Sequence, residues 1–399
     1  MAPLMVIFLL SLIRLTSLGR ATLIPPPAFA EHEWDTAIFN YDMNVTTAPD
    51  PVDNTKFRKL GLSLFYPVEK QDCSVRCNVP YMPVTVAKTT ASQFFPGQSN
   101  REALFKDLEL EACCASTLTH RPNYIALLIL EPAVATSRHL YGALAQRIAS
   151  GGFPVLTVDH PYDSSHIQYQ DGTAAMNNIK LDPFAPINPW NDTVNSAFTT
   201  RVSDLEFLVD ELTKPEIIKK LFHGFDVQGA FNKSVGMAAV GHGLGGGVAT
   251  YFGIVRDEFK FSINMGGTPA LYDQDIKKQV VFFGREGARR ENDIHWLELW
   301  KHMKNRVTEW DLPGGVFDFS DLPKIVEIRA GEGAKPKGLR DMGIRSFTSV
   351  AAMIEGYARQ TWWHDMVALD RAFLKFPGLE PYKPIGGKAR RGLRGFLGV

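Results

Sequence analysis

Residues 235–251 hold the tightest constraint on how this chain can fold. Val235-Gly236-Met237-Ala238-Ala239-Val240 is a short apolar run that passes without a spacer into Gly241-His242-Gly243-Leu244-Gly245-Gly246. The run predicts a buried strand, and the segment from Gly245 to Tyr251 predicts a helix directly behind it. Glycines two positions either side of a central residue, at a strand-to-helix turn, let a nucleophilic side chain stand exposed at the edge of a sheet. Here the central residue is Gly243. Glycine tolerates the strained backbone of such a turn, so the turn can persist where acyl chemistry through a side-chain nucleophile cannot.

The segments around this turn alternate between strand and helix. Residues 58–67 alternate apolar and polar as a strand does, and 125–130 is a continuous apolar run, the pattern of a strand covered on both faces. From Ser137 to Ser150 the spacing of Leu140, Leu144 and Ile148 predicts a helix ended by Gly151-Gly152. A strand over 153–158 follows, closing on Asp159-His160-Pro161. Helical spacing returns from Arg201 to Leu212, and strands are expected at 261–265 and 279–284. This order predicts an α/β chain with a mostly parallel, doubly wound sheet. Residues 164–198, rich in Asn, Asp and Pro, lack clear periodicity and are expected to leave the sheet as a cap or lid. The domain reading is an apolar segment over 1–22, one domain over 23–385 and a basic tail over 386–399.

Lys plus Arg and Asp plus Glu both number 43. That balance excludes the cationic surplus on which nucleic-acid binding depends. Lys388, Arg390, Arg391 and Arg394, broken by glycines, read as a solvated tail. The N-terminal run from Met1 to Ile13, then Arg14, has two readings. One is the apolar core of a secretory signal, placing the protein in the secretory pathway or outside the cell; the other is a buried or membrane-surface helix. The triplets at Asn44, Asn191 and Asn232 are candidates for N-glycosylation. Cys73, Cys77, Cys113 and Cys114 allow three full pairings, in which the adjacent Cys113 and Cys114 are expected to pair elsewhere, because a vicinal bridge is strained. Their spacing suits zinc poorly. No metal cluster, dinucleotide-binding glycine motif or phosphate-binding loop is found, so no cofactor is expected.

Taken in order, Ser137-Arg138 with Ala143-Leu144-Ala145-Gln146, Asp159-His160-Pro161-Tyr162-Asp163, the glycine turn, Ile263-Asn264-Met265, Phe283-Gly284-Arg285-Glu286-Gly287 and Phe319-Ser320-Asp321-Leu322-Pro323 carry a family resemblance. From about residue 60 to 380 the chain resembles the platelet-activating-factor acetylhydrolase-like esterases, above all the fungal ones, and the resemblance implies the α/β-hydrolase fold. It places the family's serine at Gly243, its aspartate at Gly266 and its histidine at Val316. By that match all three catalytic positions are vacant. The loop that carries oxyanion-hole glycines in the family reads Glu131-Pro132-Ala133-Val134-Ala135 here.

Without a base oriented by an acid, oxyanion donors alone leave roughly a thousandfold to ten-thousandfold over water. His242, which the family also has, reads as support for the turn, and Asp159, His160 and Asp163 read as packing and hydrogen bonding. Glu131, absent from the family pattern, and Asp318, beside the vacated histidine, are candidates for displaced catalytic roles, with surface exposure as the simpler reading of each. The expected ligand pocket is formed by His242, Gly243, Leu244, Glu131, Ala133, Gly266, Val316 and Asp318, larger and more apolar than an esterase site. The functional expectation is a non-hydrolytic cyclase, pericyclic reactions included, that folds an apolar natural-product intermediate and polarises one carbonyl. Orientation alone supplies roughly 7–11 kcal/mol of such a barrier. The alternatives are a ligand-binding or partner-stabilising pseudoenzyme, and an esterase with displaced catalytic residues.

Overall fold

The computed structural model describes residues 21–25, 34–114, 126–183, 190–221, 236–285, 287–304, 307–312, 315–331, 347–365, 368–369 and 380–381. The N-terminal segment to residue 20, Asn232 and the basic tail lie outside the described residues.

The strands are β1 (Thr22–Ile24), β2 (Trp34–Pro49), β3 (Phe57–Glu69), β4 (Arg76–Pro80), β5 (Leu108–Cys113), β6 (Leu127–Glu131), β7 (Val155–Asp159), β8 (His166–Gln168), β9 (Ala174–Met176), β10 (Met237–His242), β11 (Phe259–Met265), β12 (Gln279–Gly284), β13 (Val307–Asp311) and β14 (Glu380–Pro381). The helices are α1 (Val84–Phe94), α2 (Gly142–Ala149), α3 (Asp192–Glu211), α4 (Pro215–Leu221), α5 (Leu244–Val255), α6 (Ile294–His302), α7 (Leu322–Gly331) and α8 (Phe347–Trp362). One sheet runs β1-β5-β2-β3-β7-β6-β10-β11-β12-β13-β14, with β4 paired to β5. From β7 to β13 every pairing is parallel, whereas β3 joins both β2 and β7 antiparallel. This is an α/β-hydrolase fold.

The near-continuous apolar strands are explained by helices on both faces. In β10, Ala238 and Val240 face a core that includes α2 and α8, while Met237 and Ala239 face one that includes α3 and α5. The same alternation splits Leu128 and Leu130 of β6 from Leu127 and Ile129. One distant contact anchors the start of α2. Asp321 accepts the N–H groups of Ala143 and Leu144 at 2.6 and 2.9 Å and the Tyr81 hydroxyl at 2.9 Å, satisfying donors that a helix start cannot satisfy itself.

Cys73 bonds Cys113 and Cys77 bonds Cys114, with Cα separations of 5.4 and 5.2 Å. The adjacent cysteines therefore tie β5 to two points, one in β4 and one just before it. Within residues 164–198 the described residues carry regular elements that the sequence pattern does not show. They contain the β8–β9 hairpin, and α3 begins at Asp192 rather than near Arg201 because the Asn191 side chain accepts the Val194 N–H at 3.0 Å and caps it. No described helix is long and apolar enough to cross a membrane.

Candidate functional site

The junction of β10 and α5 lies at the carboxyl end of the parallel strands, where sheets of this kind place ligands. Gly243 adopts φ 56°, ψ −122°. The neighbouring glycines have no room for side chains: a Cβ on Gly241 would sit 2.0 Å from the Gly245 carbonyl oxygen. A Cβ on Gly243 would instead meet only Ala133, at 3.4 and 3.8 Å. The turn thus keeps the strained conformation of a residue that presents a side chain, with space left for one. Leu244 is the first residue of α5, so its N–H has no partner a turn earlier in the helix.

His242 is fully buried, its ring edge-on to Phe317 and Phe319. Its Nδ1 lies 2.8 Å from the Tyr141 hydroxyl, which also accepts the Ala133 N–H at 3.1 Å. The hydroxyl thus links that amide to the imidazole ring. Burial, reinforced by the Arg285 cation, pushes His242 down to about 3, so the ring is neutral and a weak base. The chain from Ala133 through Tyr141 to His242 fixes the turn and occupies the amide of Ala133, a residue that lines the pocket.

That pocket has a volume of about 50 Å³, and Gly243, Gly266 and Val316 all line it. Three positions far apart in sequence converge on one cavity. Arg285, just after β12, enters it as well, and a Cβ on Gly266, at φ 64°, would lie 3.1 Å from its Nε and 3.3 Å from Phe319. Burial lowers the Arg285 pKa, with Asp318 acting in the opposite direction. Asp293 and Asp182 add negative charge to the lining. Asp293 is largely committed: one oxygen caps α6 through His295 and Trp296, and the other accepts the Thr268 hydroxyl at 2.5 Å.

The pattern of platelet-activating factor acetylhydrolase, isoform II, matches residues 45–267. The chain belongs to this family. A relative from Arthroderma benhamiae, named "Probable 1-alkyl-2-acetylglycerophosphocholine esterase", is 26% identical over 304 residues, covering 69% of this chain and 71% of its own. A ferulic acid esterase from Streptomyces cinnamoneus shares the fold, with TM-score 0.63 and 21% identity, covering 86% of this chain and 93% of its own.

In this acetylhydrolase-family chain, six of the eight expected pocket residues line the cavity: His242, Gly243, Leu244, Ala133, Gly266 and Val316. Glu131 and Asp318 do not. Glu131 is completely buried, which corrects its reading as a surface residue. It lies 2.9 Å from His160 Nε2 and 3.5 Å from Arg201; His160 Nδ1 lies 2.7 Å from Asp204, which binds Arg58 at 2.7 Å, and Arg201 grips Asp163 at 2.5 Å. Burial opposes the charged His160 ring, but Glu131 and Asp204 outweigh it and raise its pKa to about 9. Three cations and three carboxylates therefore alternate behind the pocket wall, and Arg201 also donates to the Pro132 carbonyl at 2.6 Å. Asp318, also buried, accepts the Gly315 N–H at 2.8 Å and closes the turn Val316–Phe319; burial raises its pKa to about 7.

Arg285, Asp182, Asp293 and Thr268 share the lining with Ala133, Val134, Leu244, Trp296 and Val316. Sequence reading had Arg285 only as part of a landmark and missed Asp293 and Thr268. The signal for Asp293 was available, an aspartate immediately before the helix at Ile294. Among the described residues one group has metal-like spacing, Asp35 with Cys73 and Cys113, but those cysteines are bonded to each other.

Proposed function

We propose that this family member has given up the acyl-enzyme route and uses the cavity to hold a carbonyl-bearing small molecule and promote a non-hydrolytic ring closure. The observation that carries the reading is Gly243, a residue held in the side-chain-presenting conformation, with room for a side chain against Ala133 and no nucleophile to present. In this reading the Leu244 N–H and the Arg285 guanidinium polarise a carbonyl as charge develops on its oxygen, while the cavity holds that carbonyl end in a fixed orientation. Apolar reach of the substrate lies beyond the small cavity, whose own lining is mixed.

The relatives' names make hydrolysis the activity to test against. A displaced triad built from Glu131, His242 or Asp318 has little support, because the first is tied into the buried ion network, the second is a neutral weak base and the third closes a turn. A second reading, ligand binding without turnover, is favoured by the cavity's size, about 50 Å³, which admits only a small group. Incubating the purified chain with a linear precursor from its own pathway separates the two. A new ring system supports the cyclase; a rise in melting temperature with unchanged precursor supports the binder. Turnover of a short-chain ester by the native chain, or an acyl adduct on it, overturns both.

A further inference from the structure

The cavity beside Gly243 has a charge pattern that narrows what it holds. Its lining brings together the half-buried Arg285, the first residue of α5 and the fully buried ring of His242. Gly266 makes room for the arginine, since a Cβ there would lie 3.1 Å from Arg285 Nε. α5 runs for 12 residues from Leu244, so the positive end of its dipole lies at the same wall. His242, neutral, adds a polar atom without charge. Its Nδ1 is engaged by Tyr141, its Nε2 is buried without a hydrogen bond, and the ring's interaction with the Val316 backbone falls short of one.

The carboxylates among the described lining residues leave this interior positive. Asp293 spends both oxygens on the start of α6 and on the Thr268 hydroxyl. Asp182 is exposed, where solvent and salt screen it. The cavity volume, about 50 Å³, gives room for roughly three to five water-sized groups. A carboxylate with its adjoining carbon is of that size, and its two oxygens match the planar fork of a guanidinium.

We propose that the cavity takes the carboxylate of an organic acid, with Arg285 pairing its charge and the Leu244 N–H donating to one of its oxygens. The remainder of the acid extends out of the cavity. This names the substrate class for the carbonyl-holding reading above, and rests on it.

Isothermal calorimetry and melting curves of the full chain at constant ionic strength test this, with sodium acetate, neutral acetamide and inorganic phosphate as probes. Acetate is expected to bind saturably and about tenfold or more tighter than either of the others. Arg285→Gln is expected to weaken acetate by about tenfold and leave acetamide unchanged, with Arg285→Lys, which keeps the charge and loses the fork, between the two. Gly243→Ser, whose side chain enters the cavity beside Ala133, is expected to block acetate with Arg285 intact, so the test stands even where the arginine variants do not fold. Acetamide or phosphate binding as tightly as acetate, no saturable acetate binding, or full acetate affinity in folded Arg285→Gln or Gly243→Ser overturns the proposal. A native chain that binds acetate and closes no ring defeats the ring-closure reading alone. One that closes a ring on a neutral precursor without binding acetate defeats the carboxylate assignment alone.

Discussion

Gly243 and Gly241 are two glycines of one turn with opposite demands. Gly243→Ser has room for its side chain and bears only the cost of positive φ, about 1–3 kcal/mol. It is expected to fold with a melting point lowered by a few degrees and to gain no ester turnover, since Gly266 and Val316 supply neither acid nor base. Calorimetry and a chromogenic ester assay check both points, and a rise to family-like turnover would show a base that the geometry lacks. Gly241→Ala forces a methyl group against the Gly245 carbonyl and is expected to cost roughly 3 kcal/mol or more, read as a much larger loss of melting temperature. At this scale the sequence was informative where the backbone decides. Gly243, Gly266 and Val316 were placed together by motif order, and they share one cavity. Glu131 was misread because nothing local separates a buried carboxylate at a strand's end from an exposed one. What makes its burial tolerable is His160 and Arg201, far along the chain.

Elements buried on both faces were legible, because two-sided burial writes an unbroken apolar run; 279–284 is β12 to the residue. β2 was missed because its half-exposed face fills it with Asp, Asn and Thr, and no run emerges. The early start of α3 was missed for a related reason: the cap at Asn191 lies in a polar stretch whose single informative residue was read as a glycosylation triplet. The cysteine pairing was not legible from spacing, since it depends on β4 and β5 lying antiparallel. Breaking one bridge by Cys77→Ser with Cys114→Ser is expected to lower stability by about 2–5 kcal/mol, the usual cost in a loop of this size, as read from urea denaturation. Retention of the native midpoint would mean that the other bridge and the β4–β5 ladder suffice. Truncating the α2 anchor with Asp321→Ala strands two helix N–H groups and is expected to cost about 1–3 kcal/mol.

Across the molecule, several buried groups hold protons more tightly when folded. Burial raises Asp321 and Asp318 from 3.8 to about 7, and Glu131 with Asp204 raises His160 from 6.5 to about 9. In each case the folded state binds more protons than the unfolded state, so stability falls as pH rises. The carboxyl groups act between about pH 4 and 7, and the His160 contribution, complete below 6.5, fades through about 9. Below about pH 6.5 the depressed His242 acts in the opposite sense, so denaturation midpoints are expected to decline from about pH 6.5 into mildly alkaline solution, with the alkaline part of the decline lost in His160→Gln. A midpoint that climbs across this range contradicts the assignment. The six alternating charges behind Pro132 also constrain how this wall can change over generations. Neutralising any one member strands an opposite charge in a dry interior, so variation there must arrive in compensating pairs, and a family member could rework the front of its cavity freely while the masonry behind it stays locked.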